Sequence, residues 1–169
     1  FSGDIIHPQF WPQDYDYKDK NIVVIGSGAT AVTLVPALTD KAAHVTMLQR
    51  SPSYVISVPQ QDPMVALLRK ILPQTWAYRI IRGRNISITL ALYNFCKKFP
   101  HAARRLLQWG VKNSLPDSFD MKHFYPDYNP WDQRLCAVPE GDMFKAMSAG
   151  KASVVTDHID HFTADGVQL

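Results

Sequence analysis

Asn21-Ile22-Val23-Val24-Ile25-Gly26-Ser27-Gly28-Ala29-Thr30-Ala31-Val32-Thr33-Leu34-Val35-Pro36-Ala37-Leu38-Thr39 passes from an apolar run, through a glycine turn, into residues with helical spacing. The run Asn21 to Ile25 follows a polar approach, Lys18-Asp19-Lys20, and predicts a buried strand. Ala31, Val32, Val35 and Leu38 then recur on one helical face, and Asp40-Lys41 close the segment. Pro36 falls inside that helix, where it removes one backbone donor and favours a bend. His44 to Leu48 is a second strand, so strand, helix and strand fit within about thirty residues, the size of one βαβ unit. Parallel pairing with a right-handed crossover follows as the default, and the fold class is α/β with a Rossmann-like parallel sheet.

The turn Gly26-Ser27-Gly28-Ala29-Thr30-Ala31 matches G-x-G-x-x-G/A. The first glycine allows a tight turn, the second lets backbone approach a pyrophosphate, and the third small residue lets helix pack on strand. Standing between a strand and a helix, it places a pyrophosphate on the helix N-terminus, where free N–H groups favour anions. An NAD site needs an acid at the end of the second strand to accept from the ribose 2'-hydroxyl. Gln49-Arg50-Ser51 stands there instead. Arg50 can fork onto a 2'-phosphate and Ser51 can donate one bond more, which selects NADP(H) over NAD(H).

Outward from this unit the chain changes character. Between Met64 and Ser114 there is no Asp or Glu, whereas Arg69, Lys70, Arg79, Arg82, Arg84, Lys97, Lys98, Arg104, Arg105 and Lys112 all fall there. Net charge over the 169 residues is only +3, so the asymmetry matters more than the total. Three amphipathic runs, Met64 to Leu72, Gln74 to Phe99 and His101 to Ser114, predict a basic helical insertion. Leu115 to Pro139, rich in Pro, Asp, Tyr and Phe, reads as ordered loop. Asp142 to Ser148 reads as a short helix; Ala152 to Thr156, His158 to Thr163 and the stretch from Val167 read as strands, the first returning to the parallel sheet. Cys96 and Cys136 lack metal-ligand or disulfide-scaffold spacing and are expected to be reduced thiols; no metal site is expected. The opening Phe1 and the turn Ala164-Asp165-Gly166 near Leu169 suggest a chain cut from a longer protein, and no signal peptide is visible.

Phe1-Ser2-Gly3-Asp4-Ile5-Ile6-His7-Pro8-Gln9-Phe10-Trp11-Pro12 matches F-x-G-x-x-x-H-x-x-x-W-P at Phe1, Gly3, His7, Trp11 and Pro12. This is the fingerprint of Baeyer-Villiger monooxygenases, and it stands where that family puts it, before the nicotinamide-cofactor turn. Gln49-Arg50-Ser51-Pro52 resembles the family's Q-R-[ST]-P. The turn, the insertion and Tyr128-Asn129-Pro130-Trp131-Asp132-Gln133-Arg134 resemble its ethionamide-activating branch.

The resemblance implies a flavoprotein with two dinucleotide-binding domains, of which this chain is the NADP(H)-binding one, with FAD held mainly by segments outside it. It implies that NADPH reduces the flavin, that reduced flavin captures O2, and that a flavin peroxide attacks a ketone or a soft heteroatom of a small-molecule substrate. The family's arginine near the flavin maps onto Arg134, six residues after Tyr128, although relatives carry a lysine where this chain has Gln133. His7 and Trp11 map onto positions that couple cofactor-domain movement to the active site.

The expected organisation is a fingerprint linker over 1–20, an NADP-binding domain from 21–58 and 139–169, and a helical insertion with active-site loop over 59–138. The expected location is cytoplasmic. Alone the chain is expected to bind NADP(H) weakly at most and to oxygenate nothing. The basic insertion, too short in its apolar part to span a bilayer, fits peripheral contact with an anionic membrane or an apolar cover over the active site. No nucleic-acid motif accompanies its basic residues. Alternative readings are an N- or S-oxidising flavin monooxygenase, a flavoprotein reductase, and a non-catalytic membrane-associated or interaction module.

Overall fold

A computed structural model describes residues 1–169. The apolar run becomes strand β1 (Asn21–Ile25), the helical spacing becomes α1 (Ala29–Leu38), and β2 (His44–Gln49) returns parallel to β1. Helix α1 runs through Pro36, whose carbonyl takes both the backbone N–H and the hydroxyl of Thr39 at the helix end.

Strand β3 (Tyr54–Val58) follows, and then the insertion: α2 (Pro63–Ile71), α3 (Gln74–Lys98) and α4 (Pro100–Lys112). Prolines set these boundaries because each fits the first turn of a helix and not the end of the one before. Asp62 caps α2 by accepting from the Met64 N–H at 2.9 Å. After a 3-10 turn at Met121–Phe124 come β4 (Leu135–Pro139), α5 (Asp142–Ser148), β5 (Ala152–Thr156) and a short antiparallel pair, β6 (His161–Phe162) with β7 (Val167–Gln168).

The main sheet has the order β1-β2-β5, all parallel. Its core lies beneath α1 and α5, where Val32, Val35 and Leu38 meet Val45, Met47, Met143, Phe144 and Val154. The parallel α/β class and the three insertion helices agree with the sequence reading.

Three elements depart from it. Strand β1 is not buried: it is an edge strand bonded only to β2, and Val23 and Ile25 are 47% and 55% exposed. The expected loop Leu115–Pro139 ends in a strand, β4, which pairs in parallel with β3 as a separate two-stranded sheet. This pairing joins residues on both sides of the expected insertion boundary, because the apolar run Leu135 to Val138 buries Cys136 and Val138 against the core. The strand expected over His158–Thr163 shrinks to His161–Phe162, since Asp157 and His158 turn outward in a loop closed by the Asp157 carboxylate on the His158 N–H at 2.7 Å.

Candidate functional site

The glycine turn is built by two backbone requirements of different kinds. Gly26 has φ +128, a conformation that side-chain-bearing residues rarely adopt, and its N–H donates to the Leu48 carbonyl at 2.7 Å. Gly28 caps α1 with φ −80 and ψ −176, ordinary extended backbone. A Cβ added there would meet nothing within 4 Å, so the fold does not itself ask for glycine at this position. What a side chain would occupy is the open space in front of the first N–H groups of α1. Ala29, Thr30 and Ala31 present those groups, and no side chain caps them.

Beneath the turn, Ser27 is buried, its hydroxyl paired with that of Ser53 at 3.1 Å and its carbonyl facing the Cys136 thiol at 3.7 Å. Burial pushes the Cys136 thiol up and does the same to Cys96; both are free and buried. Ser53 then carries the site to Arg134. The Arg134 Nε donates to the Ser53 hydroxyl at 3.0 Å and a terminal guanidinium nitrogen reaches the Ser27 hydroxyl at 3.5 Å. No carboxylate pairs with Arg134: Asp132, its neighbour in the loop, goes to Lys97 at 2.7 Å.

Gly26, Ser27, Arg50, Ser51 and Arg134 thus line one open cleft of about 380 Å³, together with Asp157, His158 and Ile159. Arg50 is exposed and free of ion pairs, and Ser51 is half-buried beside it. Gln49 is not in this group. It is 2% exposed, and its amide donates to the His123 carbonyl at 2.7 Å and to the Thr156 hydroxyl at 2.9 Å, so its side chain locks β2 to the rest of the fold.

His123 completes that lock, with Nδ1 2.7 Å from the Thr156 hydroxyl, and burial holds its pKa below the ordinary histidine value of 6.5. The unfolded chain therefore takes up this proton first as pH falls. The contribution of neutral His123 is complete above 6.5 and is lost as pH drops through the lower folded value. Melting curves between about pH 7.5 and 5 are expected to shift more for the wild type than for His123→Asn, which keeps a polar partner for Thr156 but no titration.

The loop that delivers Arg134 is held by the insertion. Arg104 on α4 donates to the carbonyls of Asp127 and Tyr128 at 3.2 and 3.1 Å, and the Tyr54 hydroxyl donates to that Tyr128 carbonyl at 2.8 Å. Trp131, at φ 68, packs edge-on against Tyr93 of α3 at 5.8 Å, and the Tyr128 hydroxyl donates to the Arg134 carbonyl at 3.2 Å. Arg104→Ala is expected to destabilise the chain by about 1–3 kcal/mol in urea unfolding, because half-buried carbonyls lose a charged donor.

The fingerprint residues take the other side of the glycine turn. His7 caps a 3-10 turn by accepting from the Gln9 N–H at 3.3 Å, and with Thr30 and Ala31 it lines a second hollow beside the end of β1. Trp11 packs edge-on against Tyr15 and Tyr17 at 6.0 and 5.9 Å, and Pro12 accepts from the Tyr15 N–H. Gly3 lies under the Phe1 ring, which a Cβ would strike at 2.6 Å.

Ser53 and Cys136 are site residues that the motifs alone do not show. The signals were the β-branched stretch Tyr54 to Val58 right after Gln49-Arg50-Ser51-Pro52-Ser53, and the short apolar run Leu135 to Val138.

No family model matches the chain. Among individual proteins, FAD-containing monooxygenase EthA of Mycobacterium tuberculosis is 55% identical over 171 aligned residues, covering 100% of this chain and 35% of that protein. The protein named "Probable FAD-binding monooxygenase AlmA" from Acinetobacter sp is 52% identical, covering 100% of this chain and 34% of its own length. The chain therefore spans about a third of the length of the curated relatives it matches. Among solved structures, OTEMO in complex with FAD and NADP superposes with a TM-score of 0.71 at 15% identity, over 99% of this chain and 40% of that one. Cyclohexanone-bound cyclohexanone monooxygenase in the Rotated conformation gives 0.68 at 16% identity, over 99% and 40%. Over its whole length the chain is thus similar in sequence to a segment of these FAD-containing monooxygenases, and it has the fold that the corresponding segment takes in Baeyer-Villiger monooxygenases.

Proposed function

We propose that the chain is the NADP(H)-binding portion of an FAD-dependent monooxygenase that transfers one oxygen atom of O2 to a ketone or to a soft sulfur or nitrogen atom. The observation that carries this reading is the cleft lined by Gly26, Ser27, Arg50, Ser51 and Arg134 at the glycine turn, which leads directly into the uncapped N-terminus of α1, with no acid at the end of β2. The names of the relatives, which contain or bind FAD, and the NADP bound in OTEMO support it.

The residues present fit the cofactor. The space that a Cβ at Gly28 would fill suits a pyrophosphate, which would accept from the N–H groups of Ala29, Thr30 and Ala31. The Gln49 side chain is already engaged with His123 and Thr156, so Arg50 and Ser51 are the residues that would hold the 2'-phosphate. The flavin falls to chain outside these residues, since a second strand, glycine turn and helix of this kind is absent here. When bound, the nicotinamide supplies the hydride and the flavin activates oxygen.

This chain positions and neutralises. Ser53 and Ser27 orient the Arg134 guanidinium from one side while Arg104 and Tyr54 hold backbone carbonyls of its loop and Lys97 holds the Asp132 carboxylate, which makes Arg134 a fixed cation for negative charge developing at the cleft. The linker over 1–20 seats His7 against the turn, where it would couple movement of this unit to its neighbours.

Anaerobic mixing of the full-length protein with NADPH, followed by 18O2 and a panel of one ketone and one sulfide, tests the reading. NADPH-dependent flavin reduction and one labelled oxygen in either product support it. Flavin reduction without oxygen transfer would instead make the protein a reductase. Sulfide oxidation without ester formation would assign the heteroatom-oxidising type.

A further inference from the structure

We propose that the elbow between α2 and α3, residues 63–82, docks on an anionic lipid surface. On α2, Met64, Leu67 and Ile71 form an exposed stripe at i, i+3 and i+7, while Val65 and Leu68 are half-buried on the side toward α3. Past Pro73, α3 opens with Trp76, Tyr78 and Ile80, exposed to 59%, 59% and 44%. These side chains form no part of the core, and packing within the chain does not account for them.

The charges decide which partner fits. Arg69, Lys70, Arg79 and Arg82 surround the apolar residues, and none is in an ion pair. Arg79 lies over the Trp76 ring at 6.0 Å and Arg82 donates to the Tyr78 hydroxyl at 3.2 Å, so the two cations lie against the aromatic residues. Asp62, the acid nearest the elbow, is taken by Arg84. Other cations of the insertion have internal duties: Lys97 and Arg104 hold the Arg134 loop.

An apolar stripe alone would suit many partners. One ringed by unpaired cations and lacking acids suits an anionic interface, where Trp and Tyr sit at headgroup depth and Lys and Arg stems bury while their heads stay at the phosphates. A second copy is a poor occupant, because the two elbows would bring four cations from each copy together. No helix is long and apolar enough to cross a membrane, so contact is confined to the surface.

Sedimentation of the full-length protein with phosphatidylcholine vesicles, with and without phosphatidylglycerol, tests the proposal. Binding is expected only with the anionic lipid and is expected to weaken with salt. Combined Arg69→Gln, Lys70→Gln, Arg79→Gln and Arg82→Gln substitution is expected to lower partitioning on the order of a hundredfold or more, with unchanged melting, because all four side chains are exposed. Leu67→Ser with Trp76→Ser is expected to remove the salt-resistant part. No sedimentation of the wild type at low salt, as when further chain or another copy covers the elbow, would overturn the proposal. Equal sedimentation of wild type and the fourfold variant would do the same.

Discussion

Gly28→Asp is expected to fold as well as the wild type, or better by up to about 1 kcal/mol, and to lose at least a hundredfold in NADPH affinity. The two effects have opposite signs because position 28 serves the helix and the ligand differently. Its φ of −80 and the open space around its Cα place no demand for glycine on the fold. Asp is among the best residues at a helix N-cap, where its carboxylate accepts from the N–H groups that nothing in the chain now caps. On the proposed function those are the groups that would take the pyrophosphate, so the new side chain would both occupy the space and repel the anion. Losing two charge-assisted bonds of about 1.5–3 kcal/mol each accounts for the drop. Melting temperature and NADPH titration on one preparation of full-length protein check both halves. Gly26 offers no such contrast, since its φ of +128 makes any substitution costly to the fold itself.

Arg134→Ala is expected to lower oxygen transfer by about 10²–10³ in kcat while leaving the melting temperature almost unchanged. Stability survives because Ser27 and Ser53, the two partners that Arg134 would abandon, still bond to each other at 3.1 Å. Turnover suffers because a preoriented cation leaves the cleft and water replaces it. Arg134→Lys is expected to recover only part of the rate, since an ammonium keeps the charge and loses the planar fork that spans both hydroxyls. Product formation under saturating NADPH, with NADPH oxidation followed in parallel, separates this from a binding defect. An Arg134→Ala enzyme of unchanged turnover would return Arg134 to a merely structural role.

The strands and helices with one dominant period were legible in the sequence. Strand β1, helix α1 and strand β5 lie where apolar runs and turn residues put them, because a βαβ unit is a local arrangement whose signal is contained in its own residues. The exposure of β1 was not legible. The run Asn21 to Ile25 specifies a strand that suits burial, whereas its burial depends on what pairs with its free edge. Strand β4 was hidden for a related reason: Leu135 to Pro139 is short, ends in proline, and becomes a strand only by pairing with β3, some eighty residues away in sequence.

The site shows the same division. The places of Gly26 and Gly28 at the turn and of Arg50 just past β2 were readable because a turn and a strand end are local arrangements. The Ser27, Ser53 and Arg134 chain was not, because it is assembled by the β3–β4 pairing and by Arg104 reaching across from α4. The direction of the Gln49 side chain was not readable either: as the last residue of β2 it points away from the cleft that Arg50 lines, into contact with His123 and Thr156.

The central claim is that this unit selects NADP(H) through Arg50, and calorimetric titration of NADP⁺ and NAD⁺ into the full-length protein and its Arg50→Ala variant tests it most directly. The wild type is expected to bind NADP⁺ on the order of ten- to a hundredfold more tightly than NAD⁺, the worth of one or two charge-assisted bonds to the 2'-phosphate. The variant is expected to lose that preference with its NAD⁺ affinity intact. Equal affinity of the wild type for the two cofactors, or a preference untouched by Arg50→Ala, would contradict the account.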